Sequence, residues 1–411
     1  MARSDLPARR RLLCLLPFAP RLDAPHGGGR ATAQLLGHLA ARHEVALLYM
    51  RGEDEPPIDV CLAARCGLAE EVPRPDQQAA RRAGPLATAL ALLRGTPLWV
   101  GDWASPRYAA RARALAQSWR PDVVQLEFSV MAQYLPALDA CPAPRVLTEH
   151  DPPAAAAQEL WRSGRAAGRL FPYLNVRAWQ RYERAIARRV QAVVVFTERD
   201  RQAVARFARE TPVVRIPLGM TLPARPLDPL GAAPASLLFV GNFVHPPNLD
   251  AAVRLIRDIF PLVRERCPDL RLQIVGDRPP PQLRQLASAQ VDVTGRVPDV
   301  TPYLDRAALV VAPLRLGGGM RVKVLEALAA GKALVASPLA AEGLDLADGE
   351  QIVLARSDAE FADAIARLLA DPGRRAALAA RARAWACANL GWETSMAGYE
   401  ALYERLIEGA V

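Results

Sequence analysis

The sequence predicts an α/β protein with two domains, each built on a parallel sheet that helices cover on both faces. Three observations predict this: short apolar runs alternate with longer amphipathic stretches, the alternation occurs twice, and a proline-rich segment separates the two halves. The chain has 411 residues, enough for two domains with separate hydrophobic cores. Hydrophobic residues make up 51% and charged residues 23%, values typical of a globular protein.

Six apolar runs in each half are candidate strands. In the first half they are RLLCLLPF, HEVALLYM, PDVVQLEF, APRVLTEH, QAVVVFTE and PVVRIPLG, and in the second ASLLFVGNF, DLRLQIVGD, VDVTGRV, AALVVAPLR, KALVASPL and EQIVLAR. Stretches with helical spacing, such as ATAQLLGHLAARH, lie between them. The proline-rich segment TLPARPLDPLGAAPAS predicts a linker. We therefore expect domains at 1–222 and 235–390, followed by a C-terminal helix within 391–411.

The N-terminal segment MARSDLPARRRLLCLLPFAP resembles a signal peptide in its basic start, but its apolar core is short and contains Pro17. We expect it to form the first buried strand. No run of about 18 apolar residues predicts a membrane-spanning helix. The six cysteines show neither a CxxC pair nor metal-ligand spacing, which favours free thiols in a reducing cytoplasm.

The formal charge of +9, almost all of it from arginine, suits phosphate-bearing ligands, nucleic acid or an anionic membrane surface. The arginines are scattered and form no recognisable nucleic-acid-binding module, so nucleic acid is not an expected partner. The segment VRAWQRYERAIARR mixes arginine with aromatic residues on a predicted helix. Peripheral contact with an anionic membrane is one interpretation, and a solvated helix face is the favoured alternative.

Glycine-rich loops follow several predicted strands, at the edge where open α/β sheets bind ligands. They are HGGGRATAQ, GNFVHPPN, GDRP, TGRVPD and GGGMRVKVLE. In the last of these, glycines permit close approach of the backbone, a helix begins, and Arg321 and Lys323 add positive charge. This pattern predicts a phosphate or diphosphate ligand, with simple tight turns as the alternative. The loops match neither GxGxxG nor GxxxxGK[ST], and there is no D-x-D sequence or histidine cluster, so no dinucleotide, P-loop or metal site is expected.

Two further residues are candidates for site chemistry. Glu326 lies three residues after Lys323 on the same predicted helix face, where it can accept hydrogen bonds from sugar hydroxyls or pair with Lys323. His150 follows an apolar strand between Glu149 and Asp151, and both a structural and a catalytic role are open.

These motifs resemble those of the family-4 glycosyltransferases of the GT-B fold. The similar segments are VGNFVHPPNLDA, RLQIVGD, VTGRVPDVTPYL and VVAPLRLGGGMRVKVLEALAAGKALVASPLAAEGLDL, with RVLTEHD and VVFTERDRQAV in the first half. The resemblance implies two Rossmann-like domains that face each other across a cleft, with the C-terminal helix packed back on the first domain. It implies transfer of a sugar from a nucleotide-diphosphate sugar to a hydroxyl acceptor, with retention and without a metal or other cofactor.

The resemblance also implies roles for individual residues. Glu326 would bind the donor ribose, Arg321 and Lys323 would stabilise the departing diphosphate, and His150 would contact the transferred sugar. Other donor contacts would come from Gly28, Gly29, Gly241, Asn242, Gly276, Gly295, Arg296, Val297, Gly318, Gly319 and Met320. Gly318 stands where the family has the first glutamate of its E-x7-E motif, so the choice of sugar is expected to depend on this position.

Two other functions stay open at this point. A nucleotide-sugar epimerase can share the same two-domain architecture, and Gly318 also fits an inactive homologue that binds sugar nucleotides. For a transferase, the acceptor could be a glycan, a lipid-linked glycan or a small molecule, with polysaccharide biosynthesis as the expected setting. The expected location is the cytoplasm, including the inner face of the membrane.

Overall fold

The computed structural model describes residues 9–24, 27–76, 84–163, 170–317 and 321–409. The chain divides into two compact units. Unit 1 comprises Met1–Pro217 and Ser395–Val411, and unit 2 comprises Leu218–Gly317 and Arg321–Thr394. Each unit contains one parallel sheet with helices, which confirms the predicted fold class.

Unit 1 contains a seven-stranded parallel sheet in the order β3-β2-β1-β4-β5-β6-β7. The strands are Arg11–Leu16 (β1), Glu44–Arg51 (β2), Leu68–Pro73 (β3), Val123–Glu127 (β4), Arg145–Glu149 (β5), Ala192–Val195 (β6) and Val213–Arg215 (β7). All six strands predicted in this half are present. The sequence did not predict β3, because LAEEVP lies at the edge of the sheet and buries only Val72.

The helices of unit 1 pack around this sheet. They are Gly27–Arg42 (α1), Val60–Arg65 (α2), Gly84–Leu93 (α3), Leu98–Gly101 (α4), Pro106–Trp119 (α5), Pro153–Ser163 (α6), Leu170–Ala187 (α7) and Glu198–Ala205 (α8), with a 3-10 helix at Ser129–Leu138. The C-terminal helix, Trp392–Ile407, joins unit 1 from Ser395 onward. It buries Tyr399 and Tyr403, and the Tyr403 hydroxyl donates a hydrogen bond to Oε1 of Gln125 in β4. This confirms the predicted packing of that helix on the first domain.

Unit 2 contains a six-stranded parallel sheet in the order β10-β9-β8-β11-β12-β13. The strands are Ser236–Val240 (β8), Arg271–Val275 (β9), Val291–Gly295 (β10), Leu309–Ala312 (β11), Leu334–Ala336 (β12) and Val353–Leu354 (β13). The helices are Pro246–Arg254 (α9), Phe260–Arg264 (α10), Pro281–Arg284 (α11), Thr301–Arg306 (α12), Val322–Ala330 (α13), Pro338–Ala341 (α14), Asp358–Ala370 (α15) and Pro372–Asn389 (α16). A π-helical turn, Leu255–Ile259, joins α9 to α10. All six predicted strands are present.

The order of the strands reverses once in each sheet, between β1 and β4 in unit 1 and between β8 and β11 in unit 2. At such a reversal the loops leave the sheet in opposite directions, and a crevice opens at the carboxyl ends of the strands. In unit 1 this point lies beside Gly28 and Phe128. In unit 2 it lies beside Gly241 and Gly317. The fold therefore places the glycine-rich loops where α/β sheets bind ligands.

Candidate active site

The carboxyl ends of β8, β9 and β10 form a surface of closely spaced main chain in unit 2. The Gly241 N–H donates to the Val275 carbonyl (3.0 Å), and the Gly276 N–H donates to the Gly295 carbonyl (3.1 Å). Gly276 has a φ of 151°, and a Cβ atom there would lie 1.7 Å from the carbonyl oxygen of Gly241. Only glycine fits this close approach. Three of the predicted glycine turns are thus brought side by side.

Asn242 shapes the turn that leads from β8 into α9. Its Oδ1 accepts a hydrogen bond from the Val244 N–H (3.1 Å), and its carbonyl oxygen accepts one from Nδ2 of Asn248 (2.8 Å). His245 is the N-cap residue of α9, and in the described structure its side chain does not cap the helix. The first two residues of α9, Pro246 and Pro247, have no N–H group, and the Asn248 N–H donates to the His245 carbonyl (3.0 Å), so the main chain of this helix end offers no free donor to an anion.

The helix α13 begins beside this turn. Gly317, with a φ of 98°, is so close to α9 that a Cβ atom would lie 2.7 Å from Cγ of Pro247. Arg321 is the N-cap residue of α13 and is only 5% exposed. Its Nη2 donates to the Gly317 carbonyl (3.0 Å) and lies 4.0 Å from Oε2 of Glu342. Since a guanidinium has no acceptor, Arg321 cannot cap the first-turn N–H groups and instead adds a positive charge to this helix end.

Lys323 connects α13 to α9 and β8. Its Nζ donates a hydrogen bond to Oδ1 of Asn248 and lies 4.9 Å from the centre of the Phe239 ring. Burial is the main cause that lowers the pKa of Lys323 to about 7, and the charge of Arg321 lowers it further. The charge of Glu326 acts in the opposite direction. Near neutral pH, a small change in the local charge therefore decides whether Lys323 is protonated.

The same surroundings affect His245. Burial first, and then the charge of Lys323, lowers the pKa of this imidazole. Both effects disfavour additional positive charge at the ends of α9 and α13. An anion bound here would relieve the repulsion, and its charge would raise both pKa values.

The other predicted residues of unit 2 lie around these two helix ends. Glu326 is half-buried on α13, whose residues Leu325 and Ala329 are buried as predicted, whereas Val322 is only half-buried. Arg296 is exposed and Val297 half-buried, directly after β10. Three predicted residues lie outside the described part of the chain: Gly318, Gly319 and Met320.

In unit 1, His150 is held by a buried carboxylate. Its Nε2 lies 2.7 Å from Oε2 of Glu127, the last residue of β4, and the two side chains are 5% and 0% exposed. Because a carboxylate accepts, this contact assigns the ring proton to Nε2. The other nitrogen, Nδ1, is buried and has no hydrogen-bond partner in the described structure. A Cβ atom on Gly28, in the first turn of α1, would lie 3.8 Å from Nδ1.

The Glu127 contact belongs to a chain of hydrogen bonds. Gln125 donates from Nε2 to Oε1 of Glu127, and the Tyr403 hydroxyl donates to Oε1 of Gln125. The sequence did not predict these three residues as part of the site. The sequence does contain a signal for two of them: Gln125 and Glu127 interrupt PDVVQLEF, an otherwise apolar run that is predicted to be a buried strand. A charged residue inside a buried strand is costly unless it has a partner, which points to a special role.

Two aromatic rings fix the plane of the His150 ring. Phe128 stacks on it with a centroid distance of 3.9 Å and an interplanar angle of 11°, and Phe196 meets it edge-on at 5.0 Å. Phe128 has a φ of 70°, an unfavourable conformation for a residue with a Cβ atom. His150 is therefore held by a stacked ring, by a second ring in a T-shaped contact and by a hydrogen bond at one nitrogen, and Nδ1 is left as a buried acceptor without a partner in the described structure.

Two buried acids lie behind this site. The Ser129 hydroxyl donates to Glu149, whose pKa burial raises well above its ordinary value, with a further contribution from Glu183. Burial also raises the pKa of Glu183 to about 8. Oε1 of Glu183 accepts from the Ala154 N–H (2.9 Å), which fixes the start of α6 after His150. The predicted neighbour Glu149 thus lies in the core, whereas Asp151 is exposed.

The arginine-rich segment 176–189 overlaps α7 and does not present its aromatic residues to solvent. Val176 and Trp179 are buried, and the Tyr182 hydroxyl donates to the Ser129 carbonyl (2.9 Å). The membrane interpretation required an exposed aromatic face, so the solvated arginine face is the better description. Within the described residues, no helix is long and apolar enough to cross a membrane. Those residues also include no cluster of three or more His, Cys, Asp or Glu side chains able to hold a metal ion.

Comparisons with protein families give two matches that together span most of the chain. The model described as "Glycosyltransferase Family 4" matches residues 25–222, and the model described as "Glycosyl transferases group 1" matches residues 234–371.

Curated relatives match over shorter segments. The phosphatidyl-myo-inositol mannosyltransferase of Mycobacterium tuberculosis is 34% identical over 120 residues, which are 28% of this chain and 31% of that protein. An uncharacterized 44.6 kDa protein in the cps region of Klebsiella pneumoniae is 26% identical over 136 residues, 31% of this chain and 35% of that protein. The chain thus spans about a third of the length of the curated relatives it matches.

Solved structures match along nearly the whole chain. Sucrose-phosphate synthase from Thermosynechococcus elongatus has a TM-score of 0.73 at 18% identity, covering 97% of this chain and 100% of that one. HepE from Anabaena, in complex with UDP and glucose, has a TM-score of 0.65 at 13% identity, covering 96% and 100%. At these identities the likeness shows the fold.

Proposed function

Because this chain belongs to the family-4 glycosyltransferases and has the GT-B fold, we propose that it transfers a sugar from a nucleoside-diphosphate sugar to a hydroxyl acceptor. The family assignment makes the protein a transferase of the EC 2.4 class. We further propose retention of the anomeric configuration and a reaction that needs no metal ion. One observation carries the choice of donor: Lys323, with its pKa near 7, lies beside Arg321 at the start of α13.

The donor diphosphate is assigned to this helix end in unit 2. The first-turn N–H groups of α13 favour an anion, and the glycine turns after β8 and β9 let a ligand approach the main chain. A diphosphate here would draw a proton onto Lys323 and gain a second full charge beside Arg321. The two cations would then stabilise the negative charge that develops on the diphosphate as the bond to the sugar breaks. The solved HepE complex with UDP and glucose supports a donor of this class.

The hydroxyl groups of the donor's sugar and ribose are assigned to side chains that accept hydrogen bonds. Glu326 offers a half-buried carboxylate three residues after Lys323 on the same helix, and a carboxylate can accept hydrogen bonds from the ribose hydroxyls. His150 offers Nδ1, an acceptor because Glu127 holds the ring proton at Nε2. An acceptor nitrogen suits a hydroxyl of the transferred sugar and would repel a phosphate oxygen. Glu127 acts through His150 and is thus a positioning residue.

The acceptor is assigned to unit 1 and carries a hydroxyl group, on a glycan, a lipid-linked glycan or a small molecule. The name of the mycobacterial relative, a phosphatidyl-myo-inositol mannosyltransferase, favours the lipid-linked class. The relative from a cps region favours a role in polysaccharide biosynthesis. A cytoplasmic location, including the inner face of the membrane, follows from such a role.

A screen of nucleotide sugars for thermal stabilisation of the full-length protein tests the donor assignment. The best donor is then incubated with a panel of acceptors, and nucleotide release and the anomeric configuration of the product are measured. Conversion of the sugar without nucleotide release would instead identify an epimerase. Binding without turnover over a broad panel would identify an inactive homologue. Absence of stabilisation by every nucleotide sugar would contradict the proposal.

A further inference from the structure

Unit 1 carries a basic depression on the side of its sheet that is opposite to His150. It lies where α7 and α8 end, at the amino ends of β6 and β7, and has a volume of about 320 Å³. Four exposed arginines line it, and we call them the arginine pocket: Arg184, Arg188, Arg206 and Arg209. Glu210 is the carboxylate at its rim, and the half-buried ring of Phe207 forms part of its wall.

The charges of the arginine pocket are not balanced locally. Its four guanidinium groups make neither a hydrogen bond nor an ion pair within the described part of the chain. Neighbouring arginines behave differently: Arg189 pairs with Asp139 (2.6 Å), and Arg201 pairs with Glu198 (2.6 Å). The fold thus pairs arginines on both sides of the depression and leaves unpaired those that surround it.

Helix ends alone do not account for this arrangement. The carboxyl end of a helix favours one nearby cation, which explains Arg184 in the last turn of α7. It does not explain four cations around one depression, where mutual repulsion disfavours their proximity. An anion bound in the depression would attract all four guanidinium groups and so offset their mutual repulsion. One guanidinium group can donate two parallel hydrogen bonds to the oxygens of a phosphate. The volume of the depression suits a group the size of a diphosphate or a sugar phosphate.

We propose that the arginine pocket binds a phosphate-bearing ligand, at a site separate from the donor site of unit 2. The proposal does not depend on the function proposed above, because it rests on residues of unit 1 that take no part in it. Two sources could supply the same chemistry: a soluble diphosphate or sugar phosphate, and the headgroup of an anionic phospholipid.

Hydrogen–deuterium exchange of the full-length protein, titrated with inorganic pyrophosphate at constant ionic strength, tests the site. We expect saturable slowing of exchange in peptides that cover 204–213. The double variant Arg184→Gln, Arg206→Gln should weaken this protection about tenfold or more, because it removes half of the guanidinium groups. The matched control Arg107→Gln, Arg113→Gln makes the same charge change at exposed positions of α5 and should shift it less than about twofold. Lys323→Met should leave it unchanged, which separates this site from the donor site.

Vesicles identify the source of the phosphate. Protection of the same peptides by phosphatidylglycerol vesicles, but not phosphatidylcholine vesicles, supports the site and assigns it to a lipid headgroup. Protection by pyrophosphate alone supports the site and assigns it to a soluble ligand. Absence of saturable protection by either probe, or equal loss in the two double variants, would overturn the proposal, since only unspecific attraction to a basic surface would remain.

Discussion

Replacing Lys323 by methionine should stabilise the protein near neutral pH while it abolishes tight donor binding. Lys323 and Lys332 are the two lysines of the chain, which otherwise uses arginine for its positive charge. Methionine keeps an apolar side chain of similar length against Phe239 and removes the ammonium group. A residue that only supports the fold would lose stability on this change, whereas a residue kept for an anion should gain it.

The size of the gain follows from the pKa of Lys323. This pKa falls from 10.5 to about 7 in the folded protein. At pH values below 7, where Lys323 is charged in both the folded and the unfolded state, the shift lowers the free energy of unfolding by about 5 kcal/mol. Methionine removes this cost but leaves Oδ1 of Asn248 without its partner, which costs about 1 to 2 kcal/mol. The net gain should be about 3 kcal/mol at pH 6.

The gain should shrink as the pH rises. Between pH 7 and 10.5 the unfolded chain binds more protons at Lys323 than the folded chain, so the contribution of Lys323 to native stability rises with pH in this interval. The methionine variant lacks this contribution. The difference between the two proteins should therefore fall from about 3 kcal/mol at pH 6 to about zero by pH 9.5.

Urea unfolding at pH 6 and pH 9.5 measures this difference, and calorimetry with the donor measures binding. Apparent donor affinity of the native protein should fall about tenfold per pH unit above pH 7, because only charged Lys323 binds the diphosphate well. NMR of the protein with labelled lysine should show one Nζ-coupled signal that titrates near pH 7. Equal destabilisation of the variant at both pH values, or donor binding like that of the native protein, would refute the assignment.

Lys332→Met is the matched control. Burial lowers the pKa of Lys332 to about 8, but its Nζ donates to the carbonyls of Asp228 and Asp305, so its role is to hold the chain near α12. Its replacement should lower stability or leave it unchanged, and should leave the pH dependence of donor affinity intact.

Glu326→Ala should weaken donor binding about tenfold or more in calorimetry with little change in Tm, and unaltered affinity and turnover would contradict the ribose assignment. Gly276→Ala should destabilise unit 2 by about 3 kcal/mol in urea unfolding, since its Cβ would lie 1.7 Å from a carbonyl oxygen, and a native midpoint would contradict the geometry. Because the pKa of Glu183 is about 8 when folded, the contribution of Glu183 to native stability should fall from pH 4.5 to 8, and Glu183→Gln should be roughly 3 kcal/mol more stable than the native protein at pH 9. Glu127→Gln should move the proton of His150 from Nε2 to Nδ1, as read from ring nitrogen shifts, and lower turnover, whereas an unchanged tautomer would contradict the positioning role.

The strands could be predicted because a parallel sheet covered on both faces needs continuous apolar runs, and twelve such runs occur. The edge strand β3 could not, because its exposed side chains remove that signal. The glycine turns after β8, β9 and β10 could be placed together because the carboxyl ends of parallel strands share one edge. The order in which these turns follow one another along the edge could be read only from the strand order of the sheet.

Sequence patterns could not predict which side chains contact each other. Lys323 and Asn248 are 75 residues apart in the sequence, and their contact depends on how β8 and β11 align in the sheet. Glu127 reaches His150 because β4 and β5 pair with Glu127 opposite Thr148. No periodicity in one chain encodes such a register.

The chain of hydrogen bonds from Tyr403 to His150 gives the C-terminal helix a part in the chemistry of unit 1. A glutamate and a glutamine inside a buried strand would destabilise the fold by several kcal/mol if their polar groups lacked partners. Tyr403 satisfies Gln125, Gln125 and His150 satisfy Glu127, and the acceptor left over is Nδ1 of His150 at the crevice of the sheet. Loss of the Tyr403 hydroxyl should free Gln125 to rotate its amide, and we expect Glu127 then to lose its fixed orientation and His150 its fixed tautomer. The polar residues within β4 are therefore better explained by the need to present one hydrogen-bond acceptor than by any contribution to the stability of the sheet.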